Sequence, residues 1–136
     1  MTNPKRAILL RGKEKSLSRK HPWIFSGALK HHDKDIEEGD LVRVFSSEGE
    51  FLCIGHWQNG SIAVKVLSFE KERIDYGFVL VRIRTAVELR QTIGMFTDKD
   101  TTIFRLVNGE GDFMPSLIAD YYDGLVVVQF HSIGMY

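Results

Sequence analysis

Apolar residues recur at every second position along several short segments between residues 40 and 70. The alternating positions are Val42, Val44, Leu52, Ile54, Ile62, Val64 and Val66. A period of two is typical of strands that bury one face. Turn signals separate these segments, and Asn59-Gly60 between two strand-like runs is the strongest of them. This region therefore predicts a small β-rich barrel or a compact sandwich.

The residues before this region predict one strand and a short helical stretch. Residues 7–12, AILLRG, form an apolar run that ends at Gly12. The following KSLSRKHPWIF is expected to form one or two helical turns that Pro22 interrupts or restarts.

A longer helix is predicted after residue 70, where apolar residues follow roughly helical spacing. Its apolar face is expected to hold Ile74, Phe78, Val81, Ile83, Val87 and Leu89, with Arg82, Arg84 and Arg90 outside it. Asp75 is the expected cap at its start and Gly94 the expected stop. Three strands are predicted to follow, IFRLVNG, SLIADYYDG and LVVVQFHS, with a tight turn at 122–124.

The composition is that of an ordinary globular protein, with 43% hydrophobic and 26% charged residues. No apolar run approaches the roughly 20 residues that a membrane-spanning helix needs. The single cysteine, Cys53, allows no internal disulfide and no cysteine-based metal cluster. We therefore expect a cytoplasmic protein without a membrane partner or a bound metal.

Charge is distributed unevenly along the chain although the net charge is zero. Residues 1–34 hold nine lysines and arginines against Glu14 and Asp33, a surplus of seven positive charges. Such a segment can present a basic face to a polyanion, and it favours nucleic acid as the partner. The alternative is that these side chains only solvate the first elements of the fold.

Two long segments resemble one known family. GKEKSLSRKHPWIFSGAL followed by EEGDLVRVFSSEGEFLCIGHWQ resembles the amino-terminal PUA domain of the RlmI-like class I S-adenosylmethionine-dependent methyltransferases, which modify cytosine at C5 in large-subunit ribosomal RNA. FRLVNGEGDFMPSLIADYYDGLVVVQF resembles the start of that family's middle domain, an α/β unit. The match runs over nearly the whole chain in the family's order.

The resemblance implies an α+β fold, mainly β, in three parts. Residues 1–70 would be a PUA-type pseudo-barrel, 71–96 a linking helix, and 97–136 the first strands of an incomplete middle domain, truncated before its helix. The family's Rossmann-like methyltransferase domain is absent, so the chain is expected to be cut from a longer protein. The exposed edge strand left by the cut allows a homodimer.

The resemblance also implies an RNA-facing surface in the basic segment. Residues expected to contact phosphates are Lys13, Lys15, Arg19, Lys20 and His21. Ser26 and Gly27 are expected to allow close backbone approach. Trp23 and Phe25 have two open roles, stacking on an unpaired base or anchoring the loop in the core, and we favour the core for the pair.

The stretch NGEGDFMP at 108–115 is the middle domain's most recognisable motif. Asn108, Glu110 and Asp112 are candidates for supporting the substrate pocket of the whole enzyme, although the two carboxylates could instead satisfy neighbouring backbone donors. Ser116 stands where family members usually have glycine. No GxGxxG follows a strand, so we expect no S-adenosylmethionine site in this chain.

The cysteine and three of the histidines could act as a nucleophile or as metal ligands, but we expect structural roles for them. Cys53 lies among apolar neighbours in FLCIG and is expected to be a buried structural cysteine rather than the nucleophile of a cytosine methyltransferase. His31-His32-Asp33 is expected to be a solvated loop rather than a metal site. His56-Trp57 is expected to pack in the core.

The sequence thus predicts the RNA-recognition part of a ribosomal RNA methyltransferase. The parent enzyme would use S-adenosylmethionine bound in the absent domain, and this chain alone would bind RNA without catalysing. One alternative is a PUA targeting module of another RNA-modifying enzyme, such as a pseudouridine synthase or a transglycosylase. A second is a protein-interaction β-barrel whose basic end meets an acidic partner.

Overall fold

The computed structural model describes residues 3–136, which fall into two compact units. The first unit holds the residues up to Glu72 together with 132–134 and 136. The second holds residues 73–131 together with Met135.

The first unit is built on one mixed six-stranded sheet and a single helical turn. Its elements are β1 (Lys5–Leu9), α1 (Lys15–Ser18), β2 (Trp23–Phe25), β3 (Leu29–His32), β4 (Leu41–Phe45), β5 (Phe51–Trp57) and β6 (Ile62–Ser68). The strands lie in the order β2-β6-β5-β4-β1-β3. The β1–β4 pair is parallel and every other pair is antiparallel.

Chain connectivity forces this sheet to curl. β2 and β3 lie at opposite ends of the strand order, yet only the 3-10 turn Ser26–Ala28 joins them. Six strands in a flat sheet would separate these edges by about 24 Å, whereas the four Cα steps from Phe25 to Leu29 reach about 15 Å at most. The turn is bonded towards both edges, because the Ser26 N–H donates to the Ser61 carbonyl at 2.9 Å and the Leu10 N–H donates to the Ala28 carbonyl at 2.8 Å. The sheet therefore closes on itself as a pseudo-barrel.

The interior of the curled sheet is the first hydrophobic core. Val42, Val44, Val64 and Val66 are buried there, as their alternation predicted. Gly55 lets β6 approach β5 closely, because a Cβ at this position would lie 2.2 Å from the Lys65 carbonyl oxygen. The predicted hairpin at 59–60 is confirmed as the connection between these two strands.

One local prediction in this unit is confirmed and another was wrong. The predicted helical turn is α1 (Lys15–Ser18), and of the two alternatives at Pro22 the helix is interrupted rather than restarted, because β2 begins at Trp23 and pairs with β6. His31 and His32 belong to β3 rather than to a solvated loop, since β3 pairs with β1. In both cases a long-range partner decides the local conformation.

The second unit packs one helix with a three-stranded antiparallel sheet. Its elements are α2 (Tyr76–Thr92), β7 (Ile103–Asn108), β8 (Leu117–Tyr122) and β9 (Leu125–Phe130). The predicted helix ends are confirmed: the Asp75 carboxylate accepts the Phe78 N–H at 3.2 Å, and Gly94 adopts a φ of +83° just beyond the helix. β9 lies at one edge of the sheet, where its side chains are exposed.

The predicted buried face of α2 was partly wrong. Val79, Ile83 and Ala86 pack in the second core, whereas Val81 and Leu89 are exposed. Arg90 continues the buried stripe although it was expected outside. Hydrophobic spacing alone cannot find such a position, because an arginine is buried only where a partner compensates its charge.

Candidate nucleic-acid interface

The basic segment is shaped by a sharp turn at the end of α1. The Lys20 N–H donates to the Leu17 carbonyl at 2.9 Å, and the His21 N–H donates to the Ser16 carbonyl at 3.1 Å. These two bonds form a Schellman motif, in which glycine usually takes the left-handed position. Lys20 takes it here with a φ of +59°. The turn directs the chain from α1 into β2.

β2 arranges aromatic rings on the outer side of the barrel. Ile24 points inward and is buried, so its neighbours Trp23 and Phe25 lie on the opposite face. The His21 ring lies 6.0 Å from the Trp23 ring and 6.3 Å from the Phe25 ring. We refer to His21, Trp23 and Phe25 as the aromatic platform.

The platform corrects one preference from the sequence. The core was favoured for Trp23 and Phe25, but Phe25 is 51% exposed and Trp23 is half-buried. Ile24, the residue between them, anchors the segment in the core instead. The reason is the period of two in β2, which buries one face only.

A groove of about 480 Å³ lies beside the platform. Four of the residues assigned to RNA binding or to the platform line it: Lys13, Lys15, Phe25 and Gly27. Its floor is apolar and includes Leu17 and Ile24. No Cβ at Gly27 would meet another atom within 4 Å, so the chain itself does not require a glycine there and the space is open to a ligand.

The cations around the groove are exposed. Within residues 3–136, Lys13, Lys15 and Arg19 form no salt bridge. The Lys20 ammonium lies 4.7 Å from the centre of the Phe69 ring, a contact that sequence reasoning missed because Phe69 is distant in the chain. The groove, the cations and the platform together provide positive charge, flat rings and a concave surface.

Residues 108–112 belong to the second unit and are held by a buried ion pair. Arg90 donates two hydrogen bonds to the Asp112 carboxylate, at 2.6 and 2.8 Å, and one to the Arg105 carbonyl at 3.0 Å. Asp112 also accepts the Asn108 N–H at 2.6 Å. Burial would raise the pKa of Asp112, but the hydrogen bonds from Arg90 and Asn108 lower it below its usual value. Asp112 thus satisfies a backbone donor, while a substrate-pocket role for Asn108, Glu110 and Asp112 stays a prediction.

The turn after this motif explains the glycine expected at position 116. Ser116 adopts a φ of +69°, in the left-handed region that favours glycine. Phe113 also lies there, at +57°. Ser116 therefore adopts a backbone conformation that glycine would take without strain.

Burial strongly shifts the pKa values of two residues inside the first unit. Cys53 is fully buried, and burial raises the pKa of its thiol to about 12. Burial lowers the pKa of His56 to about 4, and its Nδ1 has no hydrogen-bond partner among the described residues. The predicted burial of both residues is confirmed. A thiol with a raised pKa is a poor nucleophile at neutral pH.

Residues 3–136 contain neither a cluster of metal ligands nor a membrane-spanning helix. No group of three or more His, Cys, Asp or Glu side chains in this range lies close enough to hold a metal ion. No helix in the same range is long and apolar enough to cross a membrane.

Comparison with known proteins adds a family assignment to this geometry. The family model described as "PUA-like domain" matches residues 7–69, which include the groove and the platform. These residues are a PUA-like domain.

Curated relatives extend the similarity to nearly the whole chain. Ribosomal RNA large subunit methyltransferase I of Alteromonas mediterranea is 40% identical over 129 residues, covering 93% of this chain and 32% of the relative. The protein of the same name from Pseudoalteromonas translucida is 40% identical over 125 residues, and that from Erwinia tasmaniensis is 35% identical over 131 residues. The chain with the PUA-like domain thus spans about a third of the length of these relatives.

Solved structures confirm the fold. A Streptococcus mutans protein named as a SAM-dependent methyltransferase matches 96% of this chain and 34% of its own, with a TM-score of 0.82 and 18% identity. A second structure with the same TM-score is of a protein named as a methyltransferase and complexed with SAH. At this identity the likeness concerns the fold alone.

Proposed function

We propose that this chain is the RNA-recognition part of a longer S-adenosylmethionine-dependent methyltransferase that acts on cytosine C5 of large-subunit ribosomal RNA. The observation that carries the proposal is the groove beside the aromatic platform, which is lined by Lys13, Lys15 and the exposed Phe25. The names of the relatives support ribosomal RNA as the partner.

The geometry suits a flexible RNA strand better than a rigid duplex. Lysine and arginine side chains on this face attract phosphates and release condensed counterions, a contribution that weakens with salt. Aromatic rings on the same face accept unstacked bases, each contact being worth about 1 to 3 kcal/mol. Because the cations and the rings lie within one short segment, residues 13–25, phosphates and bases of one strand can be contacted together.

Two details support a direct role for Lys20. Its left-handed backbone is strained for a side chain other than glycine, and such strain is frequent at functional positions. The Phe69 ring also holds its ammonium group beside α1. A lysine side chain held in this way loses less conformational entropy when a phosphate binds.

We place the cofactor and the catalytic cysteine of the proposed enzyme outside this chain. The parallel β1–β4 pair is connected through short strands rather than a crossover helix, so it does not fit the strand–loop–helix site of dinucleotide-type folds. Cys53 is buried without a basic neighbour to activate it. On this proposal the chain alone is inactive. Because the substrate of the longer enzyme is ribosomal RNA, the enzyme acts in the cytoplasm.

The test is a fluorescence-anisotropy titration with a structured ribosomal RNA fragment at two salt concentrations. The variant Lys15→Ala/Arg19→Ala/Lys20→Ala removes three cations from the proposed face. A matched control, Lys34→Ala/Lys71→Ala/Lys99→Ala, removes the same charge at other exposed positions. With roughly 0.7 counterions released per single-stranded phosphate contact, the first variant should lower the salt slope by about 2 and the control by much less.

Equal losses in the two triple variants would mean that net charge alone drives binding and would contradict the proposed face. No binding by the folded wild-type chain at low salt would contradict RNA recognition itself. In that case direct titration of the chain with an acidic protein would test the β-barrel as a protein-interaction module. Calorimetric titration with S-adenosylmethionine should show no heat of binding. A dissociation constant in the micromolar range would contradict the proposal that the cofactor site lies outside this chain.

A further inference from the structure

A second pocket of about 380 Å³ lies across the Ser26–Ala28 turn from the groove. It opens between β3 and the hairpin that joins β5 to β6. The residues that line it include Lys30, His31, His32, Trp57, Gln58 and Asn59. The volume falls within the roughly 300 to 1,000 Å³ of small-ligand sites.

One wall of the pocket presents hydrogen-bond donors. The Trp57 indole N–H donates to Asn59 Oδ1 at 3.3 Å. An indole N–H can only donate, so this contact assigns the oxygen of the Asn59 amide and leaves its NH₂ group for a ligand. Gln58, whose backbone N–H donates to the Ala63 carbonyl at 2.8 Å, adds a second amide on a fixed backbone.

His32, beside Trp57, adds a ring and an acceptor to the pocket. The His32 ring lies 4.7 Å from the Trp57 ring. His32 Nδ1 lies 2.9 Å from the Asp33 carbonyl oxygen, which can only accept, so Nδ1 carries the proton in the neutral ring. His32 Nε2 is then an acceptor.

The charge around the pocket favours an anionic ligand. Lys30 and His31 are exposed on its rim, and none of its lining residues is acidic. The nearby Asp33 carboxylate is already engaged, because it accepts the Arg6 N–H at 2.7 Å. Within residues 3–136, β3 pairs only with β1, so its other edge adds backbone donors and acceptors.

We propose that this pocket binds one nucleotide of the RNA strand, with the base contacting His32 and Asn59 and a phosphate at Lys30. Amide donors together with an imidazole acceptor suit the mixed donor and acceptor edge of a nucleobase better than a simple acid. The groove and the pocket share the Ser26–Ala28 turn as a wall, so one strand can reach both sites. The inference rests on the proposed RNA function and adds a subsite to it.

The two tryptophans of the chain provide the test, since Trp23 lies on the platform and Trp57 in the pocket. Each gives one indole N–H signal in a nitrogen-15 NMR spectrum, and a Trp23→Phe variant assigns them. Titration with a short single-stranded RNA, and separately with the four nucleoside 5′-monophosphates, should shift the Trp57 signal. Lys30→Ala and Asn59→Ala should each weaken RNA binding roughly fivefold or more, whereas the control Lys34→Ala should not.

The outcomes separate this subsite from the proposed function. RNA binding that needs Lys15, Arg19 and Lys20 but leaves the Trp57 signal and the Lys30→Ala affinity unchanged would overturn the subsite and keep the proposed function. Monophosphates that shift the Trp57 signal, with RNA affinity independent of the three cations, would support the pocket and contradict the proposed face. No shift of the Trp57 signal with any of these ligands would overturn the subsite.

Discussion

Replacing Lys20 should separate the stability of the fold from its affinity for RNA. Lys20 holds a left-handed backbone, which is unfavourable by roughly 1 to 2 kcal/mol for a residue with a Cβ. Glycine removes that strain but loses about 0.4 to 1 kcal/mol through the greater freedom of the unfolded chain. Either substitution also removes the contact with Phe69, worth about 0.5 to 1 kcal/mol at an exposed site.

These terms give different expectations for two variants. For Lys20→Gly they nearly cancel, so the free energy of unfolding should stay within about 0.5 kcal/mol of wild type. Lys20→Ala keeps the strain and loses the contact, so it should be destabilised by about 0.5 to 1 kcal/mol. Both variants lose the same positive charge and should lose RNA affinity equally.

Urea denaturation gives the two free energies, and anisotropy titration gives the two affinities. Destabilisation of Lys20→Gly equal to that of Lys20→Ala would refute the strain at this position. Wild-type RNA affinity in both variants would refute the phosphate contact. A stable Lys20→Gly protein with weakened RNA binding is the expected result, because the cation then serves recognition rather than folding.

Three further predictions concern the interiors of the two units. The pKa of His56 lies at about 4 in the fold and near 6.5 when unfolded, so its stabilising effect is complete above pH 6.5 and is lost as the pH falls towards 4. The loss in the free energy of unfolding reaches about 3 kcal/mol, at about 1.4 kcal/mol per pH unit. His56→Gln should flatten this part of the curve of stability against pH, and an unchanged curve would contradict the role of His56. Arg90→Ala should destabilise the second unit by about 3 to 5 kcal/mol, because it leaves Asp112 buried and unpaired; an effect below 1 kcal/mol in thermal unfolding would contradict a buried pair. Cys53 should resist iodoacetamide at pH 8 until the protein unfolds, and rapid labelling of the native protein would contradict its burial.

Much of the fold could be predicted because local chemistry determines it. The capping aspartate at 75 and the stop at Gly94 follow from unpaired backbone groups at helix ends. The hairpin at 59–60 follows from the conformational freedom of Asn-Gly. The alternation of valines in β4 and β6 follows from a sheet with one buried face.

The errors arose where a distant partner decides the outcome. Arg90 is buried because Asp112, twenty-two residues away, compensates its charge. Phe25 is exposed because β2 pairs with β6 and turns Ile24 into the core. The second pocket forms only when closure of the sheet brings β3 next to the β5–β6 hairpin. No local sequence pattern predicts that contact.

The most direct test of the account is an amide chemical-shift map of the nitrogen-15-labelled chain with a short single-stranded RNA. The account predicts shifts concentrated in residues 13–27, with a second cluster in residues 30–32 and 57–60. Shifts confined to residues 73–131, or absent under conditions where the relatives' full-length enzyme binds the same RNA, would contradict the PUA-like domain as the recognition surface.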